Sequence, residues 1–222
     1  MTSVAERGRT TPRLLAREAS KRVMDLVVSL ALIVLAAPLL LLLWLAVRLT
    51  SRGPALFRQE RLGRAQKPFT VLKLRTMHTG SDDRIHRDYV ASLLSAGSPA
   101  PARGTGLFKL DADPRVTRVG VWLRRTSLDE LPQLINVLRG EMSLVGPRPV
   151  LPWEAQMFPE VYERRFAVKP GITGLWQVSG RSRLSMRKAL ELDVEYVHRR
   201  SFAYDLGILF RTLPALFRGD AL

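Results

Sequence analysis

The sequence predicts an α+β protein that is predominantly helical and carries a membrane segment near its N-terminus. Three observations lead to this fold class. Residues 26–47 are apolar apart from Ser29, which is typical of a helix in lipid. Residues 55–62 and 68–75 mix apolar and basic side chains around a glycine-containing turn, which favours a short hairpin. Leucine and isoleucine then recur at helical spacing from Leu131 to Leu138.

The amino-acid composition restricts the kinds of molecule that the protein is expected to bind. The chain has 222 residues, which is typical of one domain with an appended segment. Its net charge of +15 indicates an anionic partner: nucleic acid, an anionic membrane surface or a phosphorylated substrate. The absence of cysteine excludes disulfides and thiolate metal sites. The three histidines, His78, His86 and His198, have no metal-ligand spacing.

The N-terminal region divides into a basic tail and an apolar helix. Residues 1–20 are polar and rich in arginine, and we expect them to be disordered. Residues 26–47 would form a helix of ~33 Å, which is long enough to cross the hydrocarbon core of a bilayer. This stretch is too long for the apolar region of a signal peptide, so we expect the mature protein to retain it.

Two features of this helix leave its topology open. Pro38 lies near the middle, and both flanks carry an excess of lysine and arginine. Because positively charged flanks favour the cytoplasmic side, a helix that breaks at Pro38 and returns would keep both flanks inside. A kinked helix that spans the membrane is the alternative, since proline is tolerated in membrane helices.

The next segments are a hairpin and an insertion. The basic residues of the hairpin at 55–75 are suited to lipid headgroups or nucleotide phosphates, or are simply solvated. Residues 79–106 are predicted to be a flexible insertion, with one short helix at 82–94 followed by a loop rich in glycine, proline and serine. Asp111 and Asp113 precede Pro114, which favours a turn over a metal site.

The adjacent carboxylates Asp129 and Glu130 are the central candidate site. Ser127 and Glu130 have the spacing of a capping box, so the acids could serve only to start a helix. Pro132 argues against a helix that starts at Ser127, because its missing N–H would cost a backbone bond in the fifth helical position. A helix that starts near Asp129 places Pro132 in its first turn and the carboxylate at the positive end of the helix dipole.

Rigid arginines and glycine loops follow the acidic pair. Pro147 and Pro149 hold Arg148 in a stiff loop, and carboxylates beside fixed arginines suit chemistry on a phosphate. The glycines at 171 and 174 allow a ligand to approach the backbone closely. Residues 153–168 and 184–197 are predicted to be helical, and 205–217 to be an interfacial helix or one that packs on the core.

The order of these segments resembles the bacterial sugar transferase family, the monotopic polyprenyl-phosphate phosphoglycosyl transferases. The resemblance covers about residues 20 to 215, and the ordered set of motifs is specific although each alone is weak. The matching segments are Lys21-Arg22 with Asp25, Gln59-Glu60-Arg61-Leu62-Gly63, Lys73-Leu74-Arg75-Thr76-Met77, Thr126-Ser127-Leu128-Asp129-Glu130-Leu131-Pro132-Gln133, Met142-Ser143-Leu144-Val145-Gly146-Pro147-Arg148-Pro149, Pro170-Gly171-Ile172-Thr173-Gly174 and Glu191-Leu192-Asp193-Val194-Glu195-Tyr196.

The resemblance implies an architecture and a reaction. It implies a monotopic protein with a re-entrant helix–break–helix at 21–50 and a small cytosolic catalytic domain at 51–222. The active site would face the cytoplasm at the bacterial inner membrane. A UDP-sugar would give its phosphosugar to a polyprenyl phosphate and release UMP. By analogy Asp129 is the nucleophile that forms a covalent aspartyl phosphosugar, and Glu130, with Asp129, holds Mg²⁺.

Further site residues complete this expectation. Arg124 and Arg148 are the candidate phosphate contacts, because guanidinium geometry matches phosphate oxygens. The other candidate substrate-binding residues are Lys73, Arg75, Thr173, Gln177 and Arg181. The candidate membrane-anchor residues are Lys21, Arg22, Asp25 and Pro38. The sequence departs from the family at the membrane break, where Ala37 precedes proline in place of the frequent serine, and this leaves the bend angle undetermined.

Two other functions compete with this one. A nucleic-acid-binding protein would explain the charge, but not the apolar stretch, and the sequence has no helix-turn-helix or zinc-finger signature. We therefore expect no nucleic-acid partner. A non-catalytic protein of the membrane surface would explain the charge and both amphipathic elements, but it does not require the acidic pair. The sequence leaves open whether the protein is a monomer or a dimer.

Overall fold

The computed structural model describes residues 12–80, 84–94, 113–180 and 183–217. Helices dominate and strands are short, which confirms the predicted predominance of helix. The helices are α1 (Pro12–Thr50), α2 (Arg84–Leu94), α3 (Arg118–Thr126), α4 (Gln133–Arg139), α5 (Pro152–Gln156), α6 (Leu175–Ser179), α7 (Met186–Arg199) and α8 (Phe202–Phe217). The strands are β1 (Leu56–Leu62), β2 (Pro68–Leu74), β3 (Ser143–Val145) and β4 (Gly171–Thr173).

Helix α1 is the apolar segment that the sequence predicts. Its part from Ala16 to Thr50 is long and apolar enough to cross a membrane, and only 11% of its most apolar window is buried against the protein. Large side chains such as Leu35 and Leu49 are more than three-quarters exposed. A soluble core helix would bury these side chains, so this surface indicates association with a membrane.

Helix α1 differs from the sequence-based expectation in two respects, its first residue and its continuity at Pro38. The helix begins at Pro12, so residues 12–20 are helical although we expected them in the disordered tail, and residues 1–11 lie outside the described part. The helical assignment also continues through Pro38 without a break. Proline removes one backbone hydrogen bond and clashes with the preceding turn, so a helix that contains proline is kinked there while the segments on both sides stay helical.

The first half of α1 is bound to the domain by polar contacts. Lys21 Nζ pairs with a carboxylate oxygen of Asp205 on α8. Arg22 donates to the carbonyl of Val137 at 2.6 Å, near the end of α4. Asp25 is buried and accepts from the backbone N–H of Leu144 on β3 at 3.1 Å. Three of the four predicted membrane-anchor residues, Lys21, Arg22 and Asp25, therefore contact three separate elements of the domain.

The second half of α1 also contacts the domain. Leu43 and Val47 pack in a small apolar cluster with Ala55, Leu74 and Leu123. Because the two halves of α1 are both packed on the domain, the helix and the domain form one structural unit.

The predicted hairpin is present. Strands β1 and β2 pair antiparallel from Leu56 opposite Leu74 to Leu62 opposite Pro68. Asn136 of α4 fixes this hairpin, since its side chain accepts from the Leu72 N–H at 3.0 Å and donates to the Thr70 carbonyl at 2.7 Å. One buried amide thus joins the hairpin to the helix that follows the acidic pair.

A second sheet was not predicted from the sequence. Strands β3 and β4 are three residues each and pair parallel, with Ser143 opposite Gly171 and Val145 opposite Thr173. Their backbones approach so closely that an added Cβ at Gly171 would lie 2.1 Å from the nitrogen of Gly146. Glycine at this position is therefore required by the contact between the two loops.

Replacing Gly171 with alanine is expected to destabilise the fold by about 3 kcal/mol or more, because the new methyl group overlaps rigid backbone atoms. Gly207→Ala is the matched control, since nothing lies within 4 Å of its added Cβ and alanine favours the interior of α8. Thermal unfolding in detergent should show a lower Tm for Gly171→Ala and an unchanged or higher Tm for Gly207→Ala. Equal Tm values would contradict the close contact.

The C-terminal half differs in detail from the predicted helices. The segment expected to be one helix at 153–168 is divided into α5 and a 3₁₀ segment, Glu160–Ala167, because Pro159 lies between them. The helix expected at 184–197 is α7, and the one expected at 205–217 is α8, which starts three residues earlier. Of the insertion at 79–106, the structure describes residues 79–80 and α2 at 84–94, and the expected loop at 95–106 lies outside the described residues.

Candidate active site

The acidic pair lies in a tight connection between two helices. Helix α3 ends at Ser127, whose φ of 56° is left-handed, and a 3₁₀ turn follows from Leu128 to Glu130. Ser127 makes no side-chain capping bond there, so the capping-box interpretation is wrong. Helix α4 begins at Gln133 with Pro132 as its N-cap, so the expected helix start near Asp129 with Pro132 in the first turn is wrong. The two carboxylates lie in the preceding 3₁₀ turn instead.

Asp129 lines a polar cavity beside the hairpin. The cavity has a volume of about 510 Å³, and Asp129 itself is only 4% exposed. Cationic side chains surround it from several elements, which makes the cavity suitable for an anionic ligand of nucleotide size. They are Arg58, Arg61, Lys73, Arg75, Arg115, Arg124 and Arg148, with His78 and His86.

Arg124 is one of the two arginines predicted to bind phosphate. It is buried at the cavity wall on the last turn of α3. Burial lowers the pKa of its guanidinium, and the charges of Asp129 and Asp113 act in the opposite direction. Asp113 is in turn held by Arg115, whose Nε lies 2.8 Å from Asp113 Oδ1. The backbone N–H of Val116 donates to the Asp113 carbonyl and closes a turn after the aspartate, whereas Asp111 of the expected turn lies outside the described residues.

Glu130 points to the other side of the connection. Its Oε1 lies 2.8 Å from Lys73 Nζ on β2 and 3.8 Å from Arg148 Nη1. These three residues line a narrow gap together with Ile172. The structure therefore brings together both predicted phosphate-binding arginines, Lys73 and the two carboxylates.

Two of the other predicted substrate-binding residues lie away from the polar cavity. Thr173 and Gln177 line a second, apolar cavity, which Glu130 also lines. Arg75 is 4% exposed and lines the polar cavity, but one of its terminal nitrogens caps the end of α1 by donating to Ser51 O at 2.7 Å. Arg181 lies outside the described residues.

A family model described as bacterial sugar transferase matches residues 16–219. The chain belongs to the bacterial sugar transferase family. This confirms the resemblance that the sequence motifs carry.

Three characterised relatives indicate the range of this family. The chain is 40% identical, over 90% of its length, to an undecaprenyl-phosphate galactose phosphotransferase of Salmonella typhimurium, of which it spans 41%. It is 43% identical, over 96% of its length, to a UDP-glucose:undecaprenyl-phosphate glucose-1-phosphate transferase of Caulobacter vibrioides, of which it spans 75%. It is 39% identical, over 89% of its length, to the exopolysaccharide production protein ExoY of Sinorhizobium fredii, of which it spans 85%.

The candidate site residues named from the sequence do not include those that hold Arg148 in this member of the family. Arg165 donates to the Arg148 carbonyl at 2.8 Å and to Asp193 Oδ2 at 2.6 Å. Both Arg165 and Asp193 are 2% exposed. The pair thus fixes the backbone of the loop that presents Arg148 to the carboxylates. Asp193 falls in a matched motif, and that motif is the one sequence signal that points to it.

Burial raises the pKa of the Asp193 carboxyl to about 6, although Arg165 and Arg148 oppose this shift. Because the folded-state pKa lies above the unfolded value of about 3.8, the folded protein binds the proton more tightly. The contribution of this group to stability is therefore present below pH ~4 and is lost as the pH rises through ~6, on the order of 3 kcal/mol.

Comparison of the wild type with Asp193→Asn isolates this titration. We expect the Tm of the wild type, relative to that of Asp193→Asn, to fall between pH 4 and pH 7, since the variant lacks the titrating group. Thermal unfolding in detergent at a series of pH values measures the difference. A relative gain of stability by the wild type over this range would show that the ion pair with Arg165 outweighs burial.

The donor atoms near Asp129 and Glu130 fit one class of metal site. Within the described parts of the chain, no group of three or more metal-binding side chains is arranged around a common point. Mg²⁺ bound with a phosphate substrate typically takes one or two carboxylates, water and phosphate oxygens. Asp129 on the polar cavity and Glu130 on the adjoining gap offer one carboxylate each, which suits a metal ion completed by water and phosphate oxygens and is too few for an all-protein metal cage.

Proposed function

We propose that this protein transfers a phosphosugar from a UDP-sugar to a polyprenyl phosphate, with release of UMP, as a first membrane step of bacterial exopolysaccharide or related glycoconjugate synthesis. The observation that carries this proposal is the position of Asp129, buried on the wall of a cavity lined by arginines, in a domain that packs against the apolar helix. The activities for which the Salmonella and Caulobacter relatives are named support the same reaction class.

The reaction balances in two displacements at one phosphorus atom. In the first, a carboxylate oxygen of Asp129 bonds to the sugar-linked phosphorus, the phosphoanhydride bond breaks and UMP leaves with the bonding electrons. In the second, a phosphate oxygen of the polyprenyl phosphate attacks the aspartyl phosphosugar at the same phosphorus and the bond to Asp129 breaks. The products are polyprenyl diphosphate sugar and the regenerated carboxylate. Carboxylate nucleophiles of this kind are established in phosphoryl transfer.

The cationic groups offset the negative charge that would otherwise keep the reactants apart. A carboxylate and a diphosphate repel each other unless positive groups are placed between them. Arg124 is next to Asp129 on the donor side, and Lys73 and Arg148 neutralise Glu130. The role of Arg165 is to hold the Arg148 backbone in this position.

Mg²⁺ is the cofactor that we propose for this site, with Glu130 and Asp129 as the residues that would hold it. When bound, it supplies Lewis acidity and neutralises charge on the phosphate oxygens. Glu130 Oε1 is already paired with Lys73. The glutamate therefore links the proposed metal site to a lysine of the hairpin.

The contacts of α1 support a re-entrant topology. Near the start of α1, Arg22 donates to the carbonyl of Val137. The neighbouring residue Asn136 accepts a hydrogen bond from the backbone N–H of Leu72 on β2. Near the end of α1, Arg75 donates a hydrogen bond to the carbonyl of Ser51. Arg75 follows Leu72 by only three residues in the chain. Three residues of strand extend ~10 Å, whereas a straight helix between these two contacts would measure ~43 Å. The path between the two contacts also includes two arginine side chains and the contact of Asn136 with Leu72, so these contacts favour a bent α1 over a straight one.

We therefore place both ends of α1 on the cytoplasmic face of the bacterial inner membrane, with the bend near Pro38. Cysteines at Ser20 and Thr50, both exposed in a chain without other cysteine, should resist a membrane-impermeant thiol reagent applied outside intact cells. Ser51 is unsuitable because it bonds Arg75. Both cysteines should react after permeabilisation, which is the control. Labelling of one site in intact cells would show that α1 spans the membrane.

The test of the proposed function is UMP release by the purified protein in vesicles. A panel of UDP-sugars is supplied with Mg²⁺ and undecaprenyl phosphate, and the expected result is UMP formation with one or a few donors and a matching lipid-linked sugar. Absence of UMP with every donor would favour the alternative, a non-catalytic protein that binds the membrane surface through its basic and apolar elements.

A further inference from the structure

A second cavity of about 430 Å³ lies on the other side of the acidic pair from the polar cavity. We call it the apolar groove. Helices α1, α4, α6 and α8 and strand β4 form its walls. Most of the side chains that line it are aliphatic or aromatic, among them Val28, Leu32, Leu134, Ile172, Leu209 and Phe210.

The groove and the polar cavity are separated by the connection that carries the two carboxylates. Asp129 lines the polar cavity, whereas Glu130 and Ser127 line the groove. Lys73, Arg148 and Glu130 line the narrow gap between the two spaces. Glu130 lines both the groove and this gap, and its Oε1 lies 2.8 Å from Lys73 Nζ and 3.8 Å from Arg148 Nη1.

The other end of the groove is formed by helices that we expect to contact the membrane. Val28 and Leu32 of α1 form one wall, and both lie on the helix whose outer surface is apolar and exposed. Phe210 and Leu213 of α8, which are 64% and 58% exposed, form another. The groove therefore extends from lipid-facing helices to the charged residues of the site.

We propose that the apolar groove holds the isoprenoid chain of the acceptor where it joins the phosphate. This inference rests on the proposed function and adds a separate site for the acceptor. A polyprenyl phosphate combines an apolar chain with an anionic end, and the groove combines apolar walls with Glu130, the carboxylate that Lys73 and Arg148 contact beside the groove. Neither a protein helix nor a second copy of the chain has that combination of a long apolar body and a terminal phosphate.

The groove contributes orientation rather than affinity. Lipid tails are as apolar as the groove, so transfer of the chain from the bilayer gains little hydrophobic free energy. A chain held in the groove directs its phosphate toward Glu130, and alignment of the reacting groups lowers the entropic part of the barrier. The nucleotide sugar and the lipid would then approach the carboxylates from opposite sides.

Photocrosslinking of the wild type tests the location without requiring turnover. The probe is farnesyl phosphate with a diazirine at the far end of the chain, supplied in phosphatidylglycerol-containing vesicles. We expect crosslinks to α6 and α8 that undecaprenyl phosphate prevents and additional phosphatidylglycerol does not. Crosslinks confined to the exposed face of α1, or competition by phosphatidylglycerol alone, would overturn the proposal while leaving the proposed reaction intact.

A variant that fills the groove provides a second test. Leu209→Trp should reduce kcat/KM for undecaprenyl phosphate at least tenfold and leave the KM for the UDP-sugar unchanged. Val178→Trp fills the opposite wall and should act in the same way, which keeps the test informative if one variant fails to fold. The matched control is Leu35→Trp, which adds the same bulk to an exposed position of α1 that does not line the groove. Equal lipid kinetics for Leu209→Trp, Val178→Trp and Leu35→Trp would refute the assignment.

Discussion

Asp129→Asn is expected to lower UMP release by about 10⁴-fold or more, since loss of a nucleophile removes the covalent route and leaves only residual catalysis from the surrounding groups. An amide is a far weaker nucleophile toward phosphorus than a carboxylate. Asparagine is nearly isosteric with aspartate, and residue 129 lies in a 3₁₀ turn that makes no side-chain capping demand, so the fold should survive. The measurement is steady-state UMP release together with thermal unfolding.

The control for Asp129→Asn is Asp88→Asn, which removes one carboxylate from an exposed position of α2. This control separates the loss of a nucleophile from a general change of net charge. We expect its activity to stay within twofold of the wild type. A fully active Asp129→Asn protein would remove the basis for the assignment of the nucleophile.

Glu130→Gln is the second variant with a large expected effect, a loss of activity of about 10²- to 10³-fold. The substitution removes the charge that pairs with Lys73 and Arg148 and one proposed ligand of Mg²⁺. The Mg²⁺ concentration required for half-maximal activity should rise, because a neutral amide is a weaker ligand for a hard cation. Titration of activity with Mg²⁺ measures both effects.

Lys73→Met distinguishes a metal-binding glutamate from one that only neutralises the lysine. If Glu130 serves the ion pair alone, each single variant and the double variant should lose activity equally and keep the Mg²⁺ requirement of the wild type. The proposed role predicts instead that only variants of Glu130 change the Mg²⁺ requirement. Such a double-mutant cycle isolates the pairwise contribution of two groups in contact.

Local patterns were sufficient to predict several elements. The apolar stretch at 26–47, the hairpin around residue 65 and the helical spacing from Leu131 to Leu138 each depend on residues close in sequence, although α4 begins later than expected, at Gln133. The capping-box interpretation is wrong because it also used only residues close in sequence. The spacing of Ser127 and Glu130 satisfies the motif, but the left-handed conformation of Ser127 ends α3 and prevents the capping geometry.

Features that depend on distant contacts could not be predicted. Strands β3 and β4 are too short to show any periodicity, yet their pairing places Thr173 beside the apolar groove. Arg165 and Asp193 lie 28 residues apart and show no shared pattern, although they support Arg148. In both cases the position of a candidate site residue is set by tertiary packing rather than by its neighbours in the chain.

The most direct test of the central claim is the intact mass of the wild-type protein incubated with its UDP-sugar and Mg²⁺ in the absence of lipid acceptor. The account predicts a mass increase equal to one phosphosugar, located at Asp129 by peptide mapping, absent in Asp129→Asn and removed on addition of undecaprenyl phosphate. No adduct, together with UMP release that strictly requires the lipid, would contradict the covalent route and indicate direct transfer between the two substrates.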